Sequence, residues 1–204
     1  MLYFLQGATL GLSATASPGP FQAFLISQTL KNGWRRTWPA AFAPLISDGP
    51  IVATVLLLLT QTPAWFLSGL QIAGGLFVLY LAFGAFMALK TATVAIETPP
   101  EAPHRNFFKA VAMNALSPGP YIFWGVLAGP IVLEAWRQSP QLGLSFVLGF
   151  YGMMIGGSVL FVVLFATASQ LGPWVNYALR LISGIALLVF GVYQLTVGIA
   201  SLLG

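Results

Sequence analysis

The sequence predicts an all-α integral membrane protein of six transmembrane helices, built as two inverted three-helix repeats with the first and fourth helices interrupted. Three observations carry that expectation. Hydrophobic residues make up 58% of the 204 positions and charged residues 6%, whereas a soluble domain needs roughly a quarter charged residues to cover its surface. Six apolar runs of about 20 residues, each long enough to cross a hydrocarbon core, fill nearly the whole chain. One tetrapeptide, Ser-Pro-Gly-Pro, recurs at matching places in the first and fourth runs.

The runs leave no room for a soluble domain of ordinary size, so residues 1–204 form a single membrane domain. Repeat one covers about 1–92, a cytoplasmic connection about 93–105, and repeat two about 106–204. The chain has no cysteine, which removes disulfides, thiolate metal sites and dithiol relays together. No metal and no cofactor is expected. The formal charge is +4, but its basic residues are scattered and make no stripe for nucleic acid.

The spans are expected near Tyr3–Thr29, Thr37–Leu59, Ala64–Leu89, Phe107–Leu133, Leu142–Thr167 and Trp174–Leu203. Ala14-Thr15-Ala16 resembles a signal-peptide cleavage site, yet Met1 to Ser13 holds no Lys or Arg. A signal peptide needs a basic start, so this segment reads as the first span. Lys31 to Arg36 is a charged, turn-forming break, and Gln61-Thr62-Pro63 is a short neutral one. The longest break runs from Lys90 to Arg105, Glu134 to Gln141 follows, and Gln170-Leu171-Gly172-Pro173 is the last. Prolines gather in these breaks because proline cannot continue a helical ladder.

On a six-span path Lys31, Arg35, Arg36, Lys90, Arg105, Lys109 and Arg180 fall on one side, and Arg137 on the other. Basic residues mark the cytoplasmic face, so both termini are expected outside. Trp34, Trp38, Trp65, Trp136 and Trp174 sit at span ends, as interfacial residues do.

Ser17-Pro18-Gly19-Pro20 lies in the first run and Ser117-Pro118-Gly119-Pro120 in the fourth. Aromatics follow each at the same spacing, Phe21 and Phe24 in one case, Tyr121 and Trp124 in the other. Leu70-Gln71-Ile72-Ala73-Gly74-Gly75 in the third run echoes Leu179-Arg180-Leu181-Ile182-Ser183-Gly184 in the sixth. Units of three spans must enter the membrane in opposite senses, and inverted repeats with matched helix breaks point to a transporter's midplane site.

Within lipid a freed backbone group costs several kcal/mol, so a break survives against protein or a wet cavity. Proline is tolerated in the first turn of a helix and serine caps well just before it. Each motif therefore reads as the start of a half-helix, and two converging starts offer roughly one unit of positive potential to an anion. The alternative is a pair of proline kinks whose freed carbonyls neighbouring helices satisfy.

Asp48 is the acidic residue farthest from any span end, halfway along the second span. An ionised carboxylate there costs about 2.5–3.5 kcal/mol on insertion scales, and such residues mark substrate or proton paths. Asp48-Gly49-Pro50 is expected to interrupt its helix, so the competing reading makes Asp48 a cap for the restarted segment. Opposite a carboxylate site, Asp48 would suit the ammonium of a zwitterion, or carry a coupling proton. Gln22 and Asn114 are further candidate ligands, with interhelical hydrogen bonding as the alternative for Asn114. Phe21, Phe24, Tyr121 and Trp124 are weaker candidates for cavity walls.

Gly7/Gly11, Gly125/Gly129 and Gly152/Gly156 have the spacing that permits close helix approach, and such faces also permit a homodimer. Glu134 and Arg137 read as a surface pair, His104 as solvated, and Arg180 as snorkelling to the interface.

In this order the motifs resemble the lysine exporter / threonine–homoserine efflux (LysE/RhtB) family. The likeness rests on Gly11, five residues, Ser17-Pro18-Gly19-Pro20, then Asn32-Gly33 with its basic loop, then Asp48. Asn114-Ala115-Leu116-Ser117-Pro118 is similar to the family's second signature. The resemblance covers essentially the whole chain. It implies a proton-driven exporter of amino acids or close derivatives in a prokaryotic cytoplasmic membrane. Phe21 stands where the family often has Asn, and Ser117 and Gly119 replace a usual Asn and Lys. The lost lysine removes a charge from the site region.

Other classes fare worse. A soft-metal exporter lacks thiolates, and one buried acid is a thin ligand set. An intramembrane enzyme lacks a nucleophile–base pair, since a lone Asp makes no dyad and His104 lies in a connection. A passive channel or scaffold differs from a carrier in ignoring a proton gradient.

Overall fold

A computed structural model of the chain describes residues 1–17, 19–58, 64–93 and 102–203. Pro18, the break at Gln61-Thr62-Pro63 and most of the connection after Lys90, including Glu97 and Glu101, lie outside the described residues. The described chain is helical throughout, with no strand. In order, it forms α1 Leu2–Ala16, α2 Pro20–Asn32, α3 Trp34–Thr37, a 3₁₀ turn Trp38–Phe42 and α4 Ala43–Leu58. Then come α5 Ala64–Thr93, α6 Pro103–Leu116, α7 Pro118–Ile122, a π turn Phe123–Ala128 and α8 Gly129–Gln138. The last helices are α9 Pro140–Ala168 and, after a short 3₁₀ turn, α10 Pro173–Leu203.

Among the described residues, Pro140–Leu171 and Pro173–Leu202 are each long and apolar enough to cross a membrane. Pro103–Leu116 and Pro118–Gln138, bent by 54° at their junction, supply a third if they form one span. The outer faces of α9 and α10 present Leu148, Leu160, Ile182 and Val189. That much exposed apolar side chain suits lipid rather than water. Trp34, Trp38, Trp136 and Trp174 are exposed too.

Proline chemistry explains the helix boundaries. A residue before proline is pushed out of the helical region. Ser17, Gly19 and Ser117 each precede a proline, and each is extended, with ψ of 121°, 174° and 132°. The two identical tetrapeptides nonetheless resume differently. Helix returns at Pro20 after the first but at Pro118 after the second, two positions earlier in the motif. Pro130 lacks the amide that would bond the carbonyl of Val126, and the backbone upstream widens into the π turn.

Asp48-Gly49-Pro50 does not break its helix, contrary to the sequence expectation. α4 runs through all three with Pro50 inside it, and the irregular stretch of this segment is the 3₁₀ turn at Trp38–Phe42. Asp48 is therefore not the cap of a restarted helix.

Close approach of α1 and α9 depends on glycine. A Cβ on Gly7 would strike the carbonyl of Phe146, one on Gly11 that of Phe150, and one on Gly149 that of Phe4. On α5 and α10, Gly75, Gly191 and Gly198 serve in the same way against Leu195, Leu79 and Gln71. The other two spaced pairs behave differently. Gly152 and Gly156 meet nothing within 4 Å; Gly125 makes an ordinary contact with Val55, and a Cβ on Gly129 would strike the carbonyl of Trp124 in the preceding π turn.

Two apolar cores result. One gathers Phe24, Leu25, Val78, Met113, Val162 and Leu187; the other gathers Ile51, Trp124, Ala128, Phe146 and Phe150. One expected surface pairing also changes. Glu134 accepts from Gln138 Nε2 at 3.0 Å rather than pairing with Arg137. Arg180 is half-buried, donating from Nε to Asn176 Oδ1 at 2.6 Å and from Nη2 to the carbonyl of Leu30 at the end of α2. His104 is exposed as expected.

Candidate functional site

Asp48 is 3% exposed on α4 and is held by three neutral donors from other elements. Asn114 Nδ2 on α6 donates to Oδ1 at 2.8 Å. Trp124 Nε1 in the π turn and Tyr151 Oη on α9 donate to Oδ2 at 3.2 and 3.1 Å. The Asn114 amide also donates to Ser47 Oγ at 2.8 Å, tying the neighbouring residue into the same cluster. A carboxylate with three donors is a satisfied acceptor, so its burial does not demand a cationic side chain.

Asp48 faces a cavity of about 490 Å³. Volumes of a few hundred Å³ suit small organic ligands. Both helix breaks open onto it: Ser17, Gly19 and Pro20 from the first motif, and Ser117, Pro118, Gly119 and Pro120 from the second. Residues separated by a hundred positions are thus brought to one hollow beside the buried acid. No lysine, arginine or histidine is among the described residues that line it.

The breaks differ from expectation in their caps. Neither serine accepts from the helix it precedes. Ser17 Oγ donates back to the carbonyl of Ser13 at 2.8 Å, and Ser117 Oγ to that of Met113 at 2.6 Å. Both serines therefore finish the upstream helix. At the first break Gly19 takes the cap position, and the amide of Ala23 bonds its carbonyl at 3.0 Å. Phe21 and Gln22 have no helical acceptor behind them, because first-turn amides never do. At the second break Pro118 and Pro120 carry no amide hydrogen, which leaves Gly119 as the first-turn donor ahead of Tyr121. The first start is the richer in donors.

The model for LysE type translocators matches residues 12–198. The chain belongs to the LysE type translocator family. It is also 28% identical, over the full length of both chains, to YcgF of Bacillus subtilis (strain 168), a protein that carries the provisional name of amino acid efflux protein. No solved structure matches the chain. The family description makes this protein a membrane transporter rather than an enzyme.

The other expected residues of this translocator divide clearly. Gln22 lines the cavity, and its Nε2 is engaged with the carbonyls of Ala14 and Thr15 at 3.1 and 3.4 Å, where α1 ends. Phe21 and Trp124 also line the cavity. Phe24 does not; it is fully buried in the first apolar core. Tyr121 is absent from the lining too, and its hydroxyl donates to the carbonyl of Ala115 at 2.9 Å. Sequence reasoning missed Tyr151, whose signal was a phenol in the middle of an apolar run. It also missed Gln71 and Gln194, amides in the third and sixth runs that line the same cavity.

Proposed function

We propose that this translocator is a secondary active exporter of amino acids or closely related small zwitterions, coupled to protons. The observation that carries the reading is Asp48, the one acid among the described residues that line a cavity onto which both helix breaks also open. The amide-rich start of α2 favours a carboxylate, and Asp48 favours an ammonium. A zwitterion satisfies both ends with no net charge taken into the membrane. Asp48 would also be the proton carrier, exchanging its proton for the substrate ammonium as the cavity changes its exposure.

The proposed frame is one membrane domain of six spans in a prokaryotic cytoplasmic membrane, with both termini outside and two inverted repeats. Its packing supports that frame. α1 lies along α9, α4 lies against α6 and the turns after it, and α5 pairs with α10. Such an arrangement is what a two-fold axis in the membrane plane would produce. Gly152 and Gly156, exposed on α9 with open space above them, give a second copy a place to pack as a homodimer.

The test is flux in proteoliposomes across a broad amino-acid panel, with and without an imposed proton gradient. Gradient-dependent movement of at least one amino acid is expected, and Asp48→Asn should lose the gradient dependence. Failure of every amino acid to move would sink the reading; unchanged coupling in Asp48→Asn would remove the acid from it.

A further inference from the structure

A second hollow, of about 540 Å³, opens where α9 meets α10 and shares no lining residue with the Asp48 cavity. Ser169, Gln170 and Gly172 from the connection, with Asn176, Tyr177 and Arg180 from α10, form its walls. A local turn creates it. Gly172 takes φ of 147°, a region that favours glycine, and Pro173 opens the new helix, where proline is well tolerated.

The walls are those of an anion site. Arg180 is the one formal charge among the described lining residues, and no carboxylate stands with it. Its guanidinium spends two of five donors, on Asn176 Oδ1 and on the Leu30 carbonyl. Those bonds fix the plane of the group, and three donors remain without a partner among the described residues. Gln170 and Tyr177 add a carboxamide and a phenol on the exposed side. A fixed planar guanidinium beside neutral donors suits a phosphate group.

What carries the phosphate follows from the rim. Leu171 and Trp174 flank the turn and are 78% and 79% exposed, and Leu89 of α5 adds an apolar wall. α9 and α10 are each apolar and long enough to cross a membrane. In the proposed frame their junction therefore lies where hydrocarbon gives way to headgroups, the level at which tryptophan anchors. A free phosphate ion gains nothing from a bare indole and leucine, whereas a phospholipid lays its chains against them.

We propose that this hollow binds the phosphate of an anionic phospholipid, with Arg180 as its charge partner and Leu171 and Trp174 against its chains. Through Arg180 and Leu89 the bound lipid joins α10 to the ends of α2 and α5. The site needs the membrane placement of α9 and α10 and is independent of what the protein transports.

The experiment is native mass spectrometry of the delipidated full-length protein, with phosphatidylglycerol competing against phosphatidylcholine of identical chains. Wild type should retain phosphatidylglycerol about fivefold better, the size expected for one basic residue meeting an anionic lipid. Arg180→Met should abolish the preference. Gln170 is exposed and outside the Arg180 bonds, so its variants leave the fold intact. Gln170→Glu should lower the preference to about one, and Gln170→Lys should raise it about fivefold again, a gain that misfolding cannot produce. Millimolar inorganic phosphate should fail to displace the lipid. Equal retention of the two lipids by wild type, or a preference unmoved in both Gln170 variants, would overturn the site. Displacement by inorganic phosphate would overturn the lipid as its source.

Discussion

Asn114 holds Asp48 from across the helix interface, its Nδ2 lying 2.8 Å from Asp48 Oδ1 while the same amide reaches Ser47 Oγ. One side chain on α6 therefore fixes two successive residues on α4. Asn114→Leu keeps comparable bulk but leaves Asp48 Oδ1 buried without that donor. The expected cost is about 1–3 kcal/mol of stability, read as a lower midpoint of thermal unfolding in detergent. Export should fall with it, since the carboxyl group loses its fixed orientation. An unchanged midpoint with full export would show that the pair is dispensable.

Tyr151 and Trp124 share Asp48 Oδ2, so removing one donor leaves the other in place. Tyr151→Phe deletes a hydroxyl with almost no change of shape and should cost about 1 kcal/mol. Trp124→Phe deletes both the donor and much of an indole packed between Phe123, Phe150 and Tyr151, and should cost several times more. Parallel melting curves of the two variants test that order. If Tyr151→Phe were the more damaging, the hydroxyl would matter beyond its share of the carboxylate.

How much of this was legible in the sequence depends on whether the cause was local. Ser17, Gly19 and Ser117 precede prolines, so their extended backbone follows from sterics within two residues. Asp48 stood out because a charge amid apolar residues needs a reason. What failed was what tertiary packing decides. Two copies of one tetrapeptide resume helix at different positions, and of three glycine pairs of equal spacing one meets a neighbouring helix's backbone, one a valine methyl and the carbonyl of its own π turn, and one nothing. Tyr151 reaches Asp48 from 103 residues away, and no local periodicity encodes that. The serines were misassigned because a hydroxyl at a break has two helix ends to choose from, and both chose the upstream one.

The glycine contrast is itself testable. Gly7→Leu or Gly11→Leu forces a side chain onto the main chain of Phe146 or Phe150, which cannot give way as a flexible side chain would. Separation of α1 from α9 should cost about 1–3 kcal/mol or more. Gly152→Ala, with open space above it, should be neutral or stabilise by up to about 1 kcal/mol through helix propensity. Thermal unfolding of the three variants side by side checks the ranking, and equal losses at all three sites would contradict the close α1–α9 contact.

Arg180 ties α10 to the last turn of α2 through the Leu30 carbonyl while Asn176 steadies its Nε at 2.6 Å. A guanidinium at a helix C-terminus meets both an orphan carbonyl and the negative end of the helix dipole. Arg180→Met retains the apolar stem and removes both hydrogen bonds. A loss of about 2 kcal/mol is expected, with Arg180→Lys recovering part of it, since an ammonium reaches one partner but lacks the planar fork. Full recovery by lysine would mean that charge alone, not the two-point geometry, anchors α2.

His104 and Gln138 flank the helix pair bent by 54°, and their accessibility decides whether that pair crosses the membrane. Both are exposed, and the chain has no cysteine of its own, so single cysteines can be placed without background. Six of the eight basic residues other than Arg180 and Arg137 lie at the breaks after α2, at the end of α5 or at the start of α6. In the orientation proposed from that distribution, His104 lies in the cytoplasm and Gln138 outside. A membrane-impermeant maleimide applied to intact cells should therefore label Gln138→Cys readily, and His104→Cys after permeabilisation alone. The reverse pattern would invert the orientation. Labelling of both from one side would make the pair a re-entrant loop, and with an odd number of crossings lost, the two halves of the chain would no longer run in opposite senses.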